Sequence, residues 1–466
     1  MNPIQLETDY LVVGSGAVGM AFADVLLSET KANIIIVDKY PKPGGHWNLA
    51  YPFVTLHQPS AYYGVSSSEL SKGRIDPIGL NKGLNELASG AEVSAYFDEV
   101  MRHKFLSSGR VQYFPMCEYS SDGQFQSLTT GQRYSVTVKK KTVDATYLKT
   151  SVPSTHTPDF TIEQGVQFIP LNDLTKVKSP PSGYTIIGGG KTGIDACLWL
   201  LEQNVDPDDI RWIMPRDAWL LDRRNTQTSP EFFSDSVGAQ ALQMEAIVAS
   251  ESIPDLFDRL EDSGVLLRID QEVRPKMFHG ATVSQMELAE LRRIKNIVRM
   301  GRVVKLEKDQ ITFEQGTLAT STDELHVDCS SSAITNVKII PIFQGNLITP
   351  QTVRSYQPVF SAAFIAHIEA TYSDEEKQNA ICGVVPLPNH DTDWIRMFSA
   401  FMMNQYTWSQ HPEIATWLLG DRLDGFSTLM QSASQDDEEK QAIIQRIRSN
   451  AVPAVMKLNE FMAELN

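Results

Sequence analysis

Cysteine is scarce: Cys117, Cys197, Cys329 and Cys382 are the only four in 466 residues, and they lie far apart. No C-x-x-C or C-x-x-x-x-C pair exists to hand electrons to a thiol substrate, which excludes the chemistry of a flavin disulfide reductase. The nine histidines are as scattered, without ligand spacing, so no metal site is expected. Positive charge is in deficit, with 41 Lys and Arg against 57 Asp and Glu and a net charge of −16. Such a surface repels nucleic acid and anionic membranes, and neither is expected as a partner. No apolar run reaches the length of a membrane span. The N-terminus carries Glu7 and Asp9 and runs straight into a strand pattern, where a leader would be basic and then apolar. A cytoplasmic protein is the expectation, long enough for roughly two or three domains.

What the chain does have is one motif written twice. Residues 12–27 read VVGSGAVGMAFADVLL and residues 186–201 read IIGGGKTGIDACLWLL. Each joins a β-branched run to glycines at G-x-G-x-x-G spacing (Gly14, Gly16, Gly19 and Gly188, Gly190, Gly193) and then to an apolar stretch of helical period. The pattern predicts strand, tight turn and helix, with a pyrophosphate held on free N–H groups at the helix start, where Ala17 stands in the first copy and Lys191 and Thr192 in the second. Two such sites predict two dinucleotides.

The following strands distinguish them. After the first copy, NIIIVDKY (33–40) ends in Asp38 and Lys39, and a carboxylate there accepts from both hydroxyls of an adenosine ribose while repelling a 2′-phosphate. After the second, IRWIMPRD (210–217) ends in Arg216, with Arg223 and Arg224 close behind, and a guanidinium fork suits that phosphate. The second site is therefore expected to take NADPH.

The fold class expected is α/β, with two Rossmann-like dinucleotide-binding domains and a helical insertion. Residues 1–180 are read as the first part of one domain and 181–333 as the second domain, with the insertion at about 226–300. Residues 334–466 return to the first domain and end in helices. Within this plan 61–110 look largely helical, and RVQYFPMCEY, QFQSLTT and RYSVTVKKKTVDATYL (110–148) alternate like antiparallel strands. AQALQMEAIVASESIPDLFDRL (239–260) and ATVSQMELAELRRIKNIVRM (281–300) have helical period.

The glycine motifs, Asp38, PGGHWNLAYP (43–52), Arg216 and the chain order together resemble the class B flavin-dependent monooxygenases. The likeness is most specific in residues 10–65 and 184–216. It implies FAD at the first site and NADPH at the second, with Gly44, Gly45 and Trp47 against the flavin ring. It also implies hydride transfer from NADPH to FAD, followed by transfer of one oxygen of O2 to a small-molecule substrate, and it admits a homodimer.

The chain departs from that family in three places. The fingerprint F-x-G-x-x-x-H-x-x-x-(Y/F) is reduced to Phe160 and Gly165 in FTIEQGVQFIPLNDL (160–174), without a following histidine. The usual A-T-G is Ala145-Thr146-Tyr147, and where an asparagine is common near the nicotinamide the chain has His57 and Gln58. Gln58, His57 and His46 are the candidates for polar help in catalysis, and a helix start near Gln357-Pro358 is a candidate for stabilising negative charge on reduced flavin. The halogenase motif W-x-W-x-I-P is absent. An NADPH-dependent flavin reductase, dehydrogenase or halogenating enzyme stays open as an alternative, as does a nucleotide-binding protein without turnover.

Overall fold

The computed structural model describes residues 2–148, 150–331 and 337–465. Strand β1 (Ile4–Val13) pairs in parallel with β2 (Ile34–Val37), whose four residues are all buried, as expected of a strand covered on both faces. They lie inside an eight-stranded sheet whose main path runs 343–344, 347–348, 133–144, β1, β2, 111–114. Helix α1 (Ala17–Glu29) joins β1 to β2 and is buried along Gly19–Leu26, because helix α7 (Pro358–Thr371) lies against it. The return segment thus covers the first nucleotide unit.

The second unit is a five-stranded parallel sheet in the order 168–170, 325–328, 184–187, 210–213, 297–298. Helix α3 (Lys191–Glu202) makes the first crossover. Tyr10 stands opposite Ile34 in one unit and Tyr184 opposite Ile210 in the other, so the two glycine loops leave equivalent positions of equivalent strand pairs.

Several sequence expectations need correction. Residues 61–89 are loops and turns with a tiny hairpin (Gly64–Val65 and Ser68–Glu69), and the helical part is α2 (Gly90–Val100) with the turns after it. Pro77 and the left-handed Gly73, Gly79 and Gly83 interrupt any helix there. Residues 111–114 pair in parallel with β2, so only the strands 117–121, 124–127 and 133–144 form the antiparallel meander. Strand 133–144 then runs parallel to β1.

The insertion is also mixed. Helices α4 (Phe233–Ala249), α5 (Ile253–Asp262) and α6 (Gln285–Leu291) are present, but Ala281, Thr282 and Val283 belong to strand 277–283, which pairs with 218–222 in a three-stranded sheet. Beyond α7 come α8 (Glu375–Ile381), α9 (Asp393–Ser409), α10 (Pro412–Gly420), α11 (Phe426–Gln431) and α12 (Glu438–Glu464). Ala454, Leu458 and Phe461 of α12 share a core with Ile247, Leu256 and Phe257, so the chain's end closes over the insertion. The recrossing expected at 333 lies outside the described residues. No described helix is long and apolar enough to cross a membrane.

Candidate functional site

At the first loop Gly14 has φ +98, and a Cβ there would lie 2.9 Å from the Thr146 methyl. Gly19 is pressed so closely on the strand end that its Cβ would fall 2.0 Å from the Gly14 carbonyl oxygen. Gly45 passes directly over Gly16, where its Cβ would be 2.9 Å from the Gly16 Cα, and the Gly44 N–H donates to the Ser15 carbonyl at 2.8 Å. Backbone thus walls the loop on two sides and leaves the start of α1, at Ala17, facing the gap. Asp38 is buried at the end of β2. Its Oδ2 accepts from the Ser15 amide and hydroxyl (2.7 Å to Oγ), and its Oδ1 accepts from the Tyr40 amide at 2.8 Å. Oδ1 retains a lone pair for a further donor. Lys39 is exposed, with its ammonium 5.2 Å from the Tyr40 ring.

The second loop repeats the contacts. A Cβ on Gly193 would lie 2.1 Å from the Gly188 carbonyl oxygen, while nothing lies within 4 Å of one on Gly190. Lys191 and Thr192 form the first turn of α3, and Lys191 pairs with Asp195 one turn on. Arg216 follows strand 210–213 and donates to the Asn389 side chain at 2.8 Å. Burial and the neighbouring Arg302 lower its pKa, as they do when cations face a space without an anion.

Arg223 and Arg224 do not join this cluster. Arg223 is 1% exposed, pairs with Glu287 at 2.8 Å and donates to the His57 carbonyl at 3.0 Å. Arg224 pairs with Asp235 at 2.8 Å. The strand before them ends on buried Asp222 and turns its cations into the insertion.

The segment after Gly45 reaches from one loop to the other. Tyr51 donates to Asp195 at 2.5 Å, and Phe53 stacks on Trp199 of α3 at 5.0 Å and 18°. Trp47 donates from Nε1 to the Tyr63 hydroxyl at 2.7 Å. His46 sits 5.2 Å from the Trp47 ring, and burial pushes its pKa down to about 4. Burial, then Lys191 and Arg223, hold His57 well below the usual imidazole range. Both are neutral near pH 7.

Gln58 parts company with the two histidines. It lines a cavity of about 200 Å³ whose wall also includes Tyr62, Arg354, Tyr356, Gln405 and several aromatic rings, but neither His46 nor His57.

No family model matches the chain. The uncharacterized protein Rv2000 of Mycobacterium tuberculosis is 46% identical over 442 residues, covering 94% of this chain and 81% of its own. The uncharacterized protein Mb2023 of Mycobacterium bovis matches to the same extent. The chain belongs to their family. Among solved structures, a polycyclic ketone monooxygenase from the thermophilic fungus Thermothelomyces thermophila covers 97% of this chain and 89% of its own at a TM-score of 0.50 and 10% identity. The two share a fold, the α/β architecture described above.

Some of the site lay beyond sequence reasoning. Arg302, Arg354 and Tyr356 carry no motif, and only the fold brings them beside Arg216 or Gln58. The remnant fingerprint builds a turn instead: Phe160 packs edge-on against Phe168 at 5.8 Å, and Gly165, at φ +95, makes room for Lys308. The bond from Trp47 to Tyr63 yields a simple prediction. Tyr63→Phe leaves the indole N–H without its acceptor and should lower stability by about 1–3 kcal/mol, read from the urea midpoint. An unchanged midpoint would show that water replaces the phenol.

Proposed function

We propose that this chain is a cytoplasmic FAD-containing, NADPH-dependent monooxygenase that transfers one oxygen of O2 to a small organic substrate. The observation that carries this reading is the segment 44–58, which packs on the first glycine loop through Gly45 and on the second unit's α3 through Tyr51 and Phe53. Two dinucleotides held at those loops would meet along one piece of chain. The polycyclic ketone monooxygenase that shares the fold supports the reading, and four free, buried cysteines fit a reducing compartment.

The residues fit both cofactors. Each loop presents a helix start and lacks the side chains that would block a pyrophosphate. Gly14, Gly16, Ala17, Gly19, Asp38, Gly45 and Trp47 would hold FAD, with Lys39 at the rim. Gly188, Gly190, Lys191, Thr192, Gly193 and Arg216 would hold NADPH, joined by Arg302. When bound, NADPH supplies a hydride, and FAD accepts it and activates O2.

The chain's part is binding, orientation and exclusion of water. Asp38 takes a ribose hydroxyl on Oδ1, and its charge keeps a 2′-phosphate out of the first site. Trp47, fixed by Tyr63, offers a flat apolar face. His46 and His57 are neutral and would hydrogen-bond without adding charge, and the Gln58 amide, at the cavity wall, can both donate and accept. The start of α7 at Pro358 offers free N–H groups to negative charge.

The test is a single sequence of mixes on purified holoprotein. Anaerobic NADPH should bleach the flavin, and isotopically labelled O2 should then place label in a product from a panel of ring-sized substrates. Recovery of every electron as H2O2 across the panel would leave a flavin reductase, and failure to bleach would remove NADPH from the reading.

A further inference from the structure

The cavity beside Gln58 has one built feature that the cofactor sites do not explain. Tyr356 adopts φ +57, a left-handed conformation unusual for an aromatic residue. Its ring lies where a side chain on Gly280 would stand, 2.1 Å from a Cβ at that position. Gly280 itself has φ +65 and sits in strand 277–283 where the pairing with 218–222 slips register, so a bulge makes the seat. Phe278 closes the edge at 5.8 Å and 85°. Insertion and return segment thus cooperate to fix one tyrosine in the cavity wall, and its buried oxygen has no hydrogen-bond partner. Burial raises its pKa well above the usual value, so it stays a neutral donor.

The rest of the wall limits what that donor can meet. Arg354 already pairs with Asp424 at 2.6 Å and lies over the Phe360 ring at 3.7 Å. Asp222 accepts from Gln285 at 2.6 Å. Arg354 keeps an unpartnered Nε, but its charge is balanced by Asp424, so these groups offer an ion no uncompensated countercharge. Trp394 and Phe398, stacked at 4.8 Å, and Phe401 give part of the wall an apolar, flat character. A roughly 150 Å³ apolar cavity accepts a benzene ring, so about 200 Å³ suits one substituted ring.

We propose that Tyr356 is the hydrogen-bond donor that orients an uncharged, ring-sized substrate bearing one acceptor group in this cavity. The proposal rests on the monooxygenase reading for what happens after binding, and not for binding itself. Arg354 Nε, Ser355 Oγ and Gln405 Nε2 belong to residues of the same wall and are likewise without a partner, but Tyr356 alone is held by a left-handed backbone and a glycine seat, with Gly280 a positioning residue that acts through its ring.

The experiment titrates the holoprotein by calorimetry, without NADPH, with two probes of one shape: acetophenone, and α-methylstyrene, in which =CH2 replaces the oxygen. Wild type should bind acetophenone about five- to tenfold more tightly, the worth of one neutral hydrogen bond. Tyr356→Phe should lower that preference at least about threefold while leaving α-methylstyrene affinity and melting temperature unchanged, because the lost hydroxyl has no partner within the protein. Gly280→Ala, which pushes the ring from its seat, should lower it as well, and Tyr62→Phe should retain it in full. A preference that Tyr356→Phe leaves undiminished, or a wild type that shows none or binds neither probe, overturns the proposal. Intact discrimination in a protein that NADPH cannot reduce would defeat the monooxygenase reading alone, and oxygenation without discrimination would defeat only this one.

Discussion

Gly14→Val is expected to give folded protein that emerges colourless, with flavin occupancy below about a tenth of wild type, as befits loss of the pyrophosphate cradle. The φ of +98 is one that a β-branched residue does not tolerate, and the added Cβ would meet the Thr146 methyl at 2.9 Å. Strain of this kind costs about 1–3 kcal/mol. That is a fraction of a stability of about 5–15 kcal/mol, so the fold persists while the loop moves. What the loop cannot do after moving is keep its amides aimed at the space between Ala17 and Gly45. Gly16→Ala tests the other half of the cradle: its Cβ would stay at ordinary contact distance, 3.5 Å from the Gly45 Cα, so the loop keeps its shape, but the methyl stands where the pyrophosphate approaches and flavin should be lost from an unstrained fold. Visible absorbance per protein, with circular dichroism to confirm folding, reads both. Full occupancy in Gly14→Val would remove the first loop from the FAD site.

The parts legible in the sequence were those set by local chemistry. Apolar β-branched runs followed by spaced glycines place both strand–turn–helix units, and Tyr10 and Tyr184 stand at matching points of matching sheets. The start of α7 at Pro358 was visible because proline is favoured in a first helical turn. Direction was not legible. Arg216, Arg223 and Arg224 look alike as charges in a row, yet burial against Glu287 takes Arg223 out of the cleft and Asp235 takes Arg224. Strand 277–283 was read partly as helix because its apolar residues continue the spacing of α6, and only pairing with 218–222 decides the matter. Tyr356 shows the same limit from the other side. No spacing rule announces a left-handed tyrosine, whose conformation depends on a glycine in another segment.

Arg216→Ala should raise the Michaelis constant for NADPH by about one to two orders of magnitude, the loss of a charge-assisted pair worth about 1.5–3 kcal/mol. The constant for NADH should hardly move, because it has no 2′-phosphate. The structure favours a clean result: the guanidinium makes one hydrogen bond, to Asn389, which keeps a second partner in His279 at 3.0 Å. Removing the side chain therefore leaves its neighbours satisfied. The lowered Arg216 pKa fits an anion as the missing partner, since a bound phosphate relieves both desolvation and repulsion from Arg302. Arg302 is exposed, so solvent screens it and Arg302→Ala should cost only a few-fold, by about the worth of a surface pair. Raising salt should weaken NADPH binding in wild type and much less in Arg216→Ala. Equal losses for NADH and NADPH would sink the assignment. With Arg223 and Arg224 already held by carboxylates, they would also return the second site to the choice between the two nicotinamides.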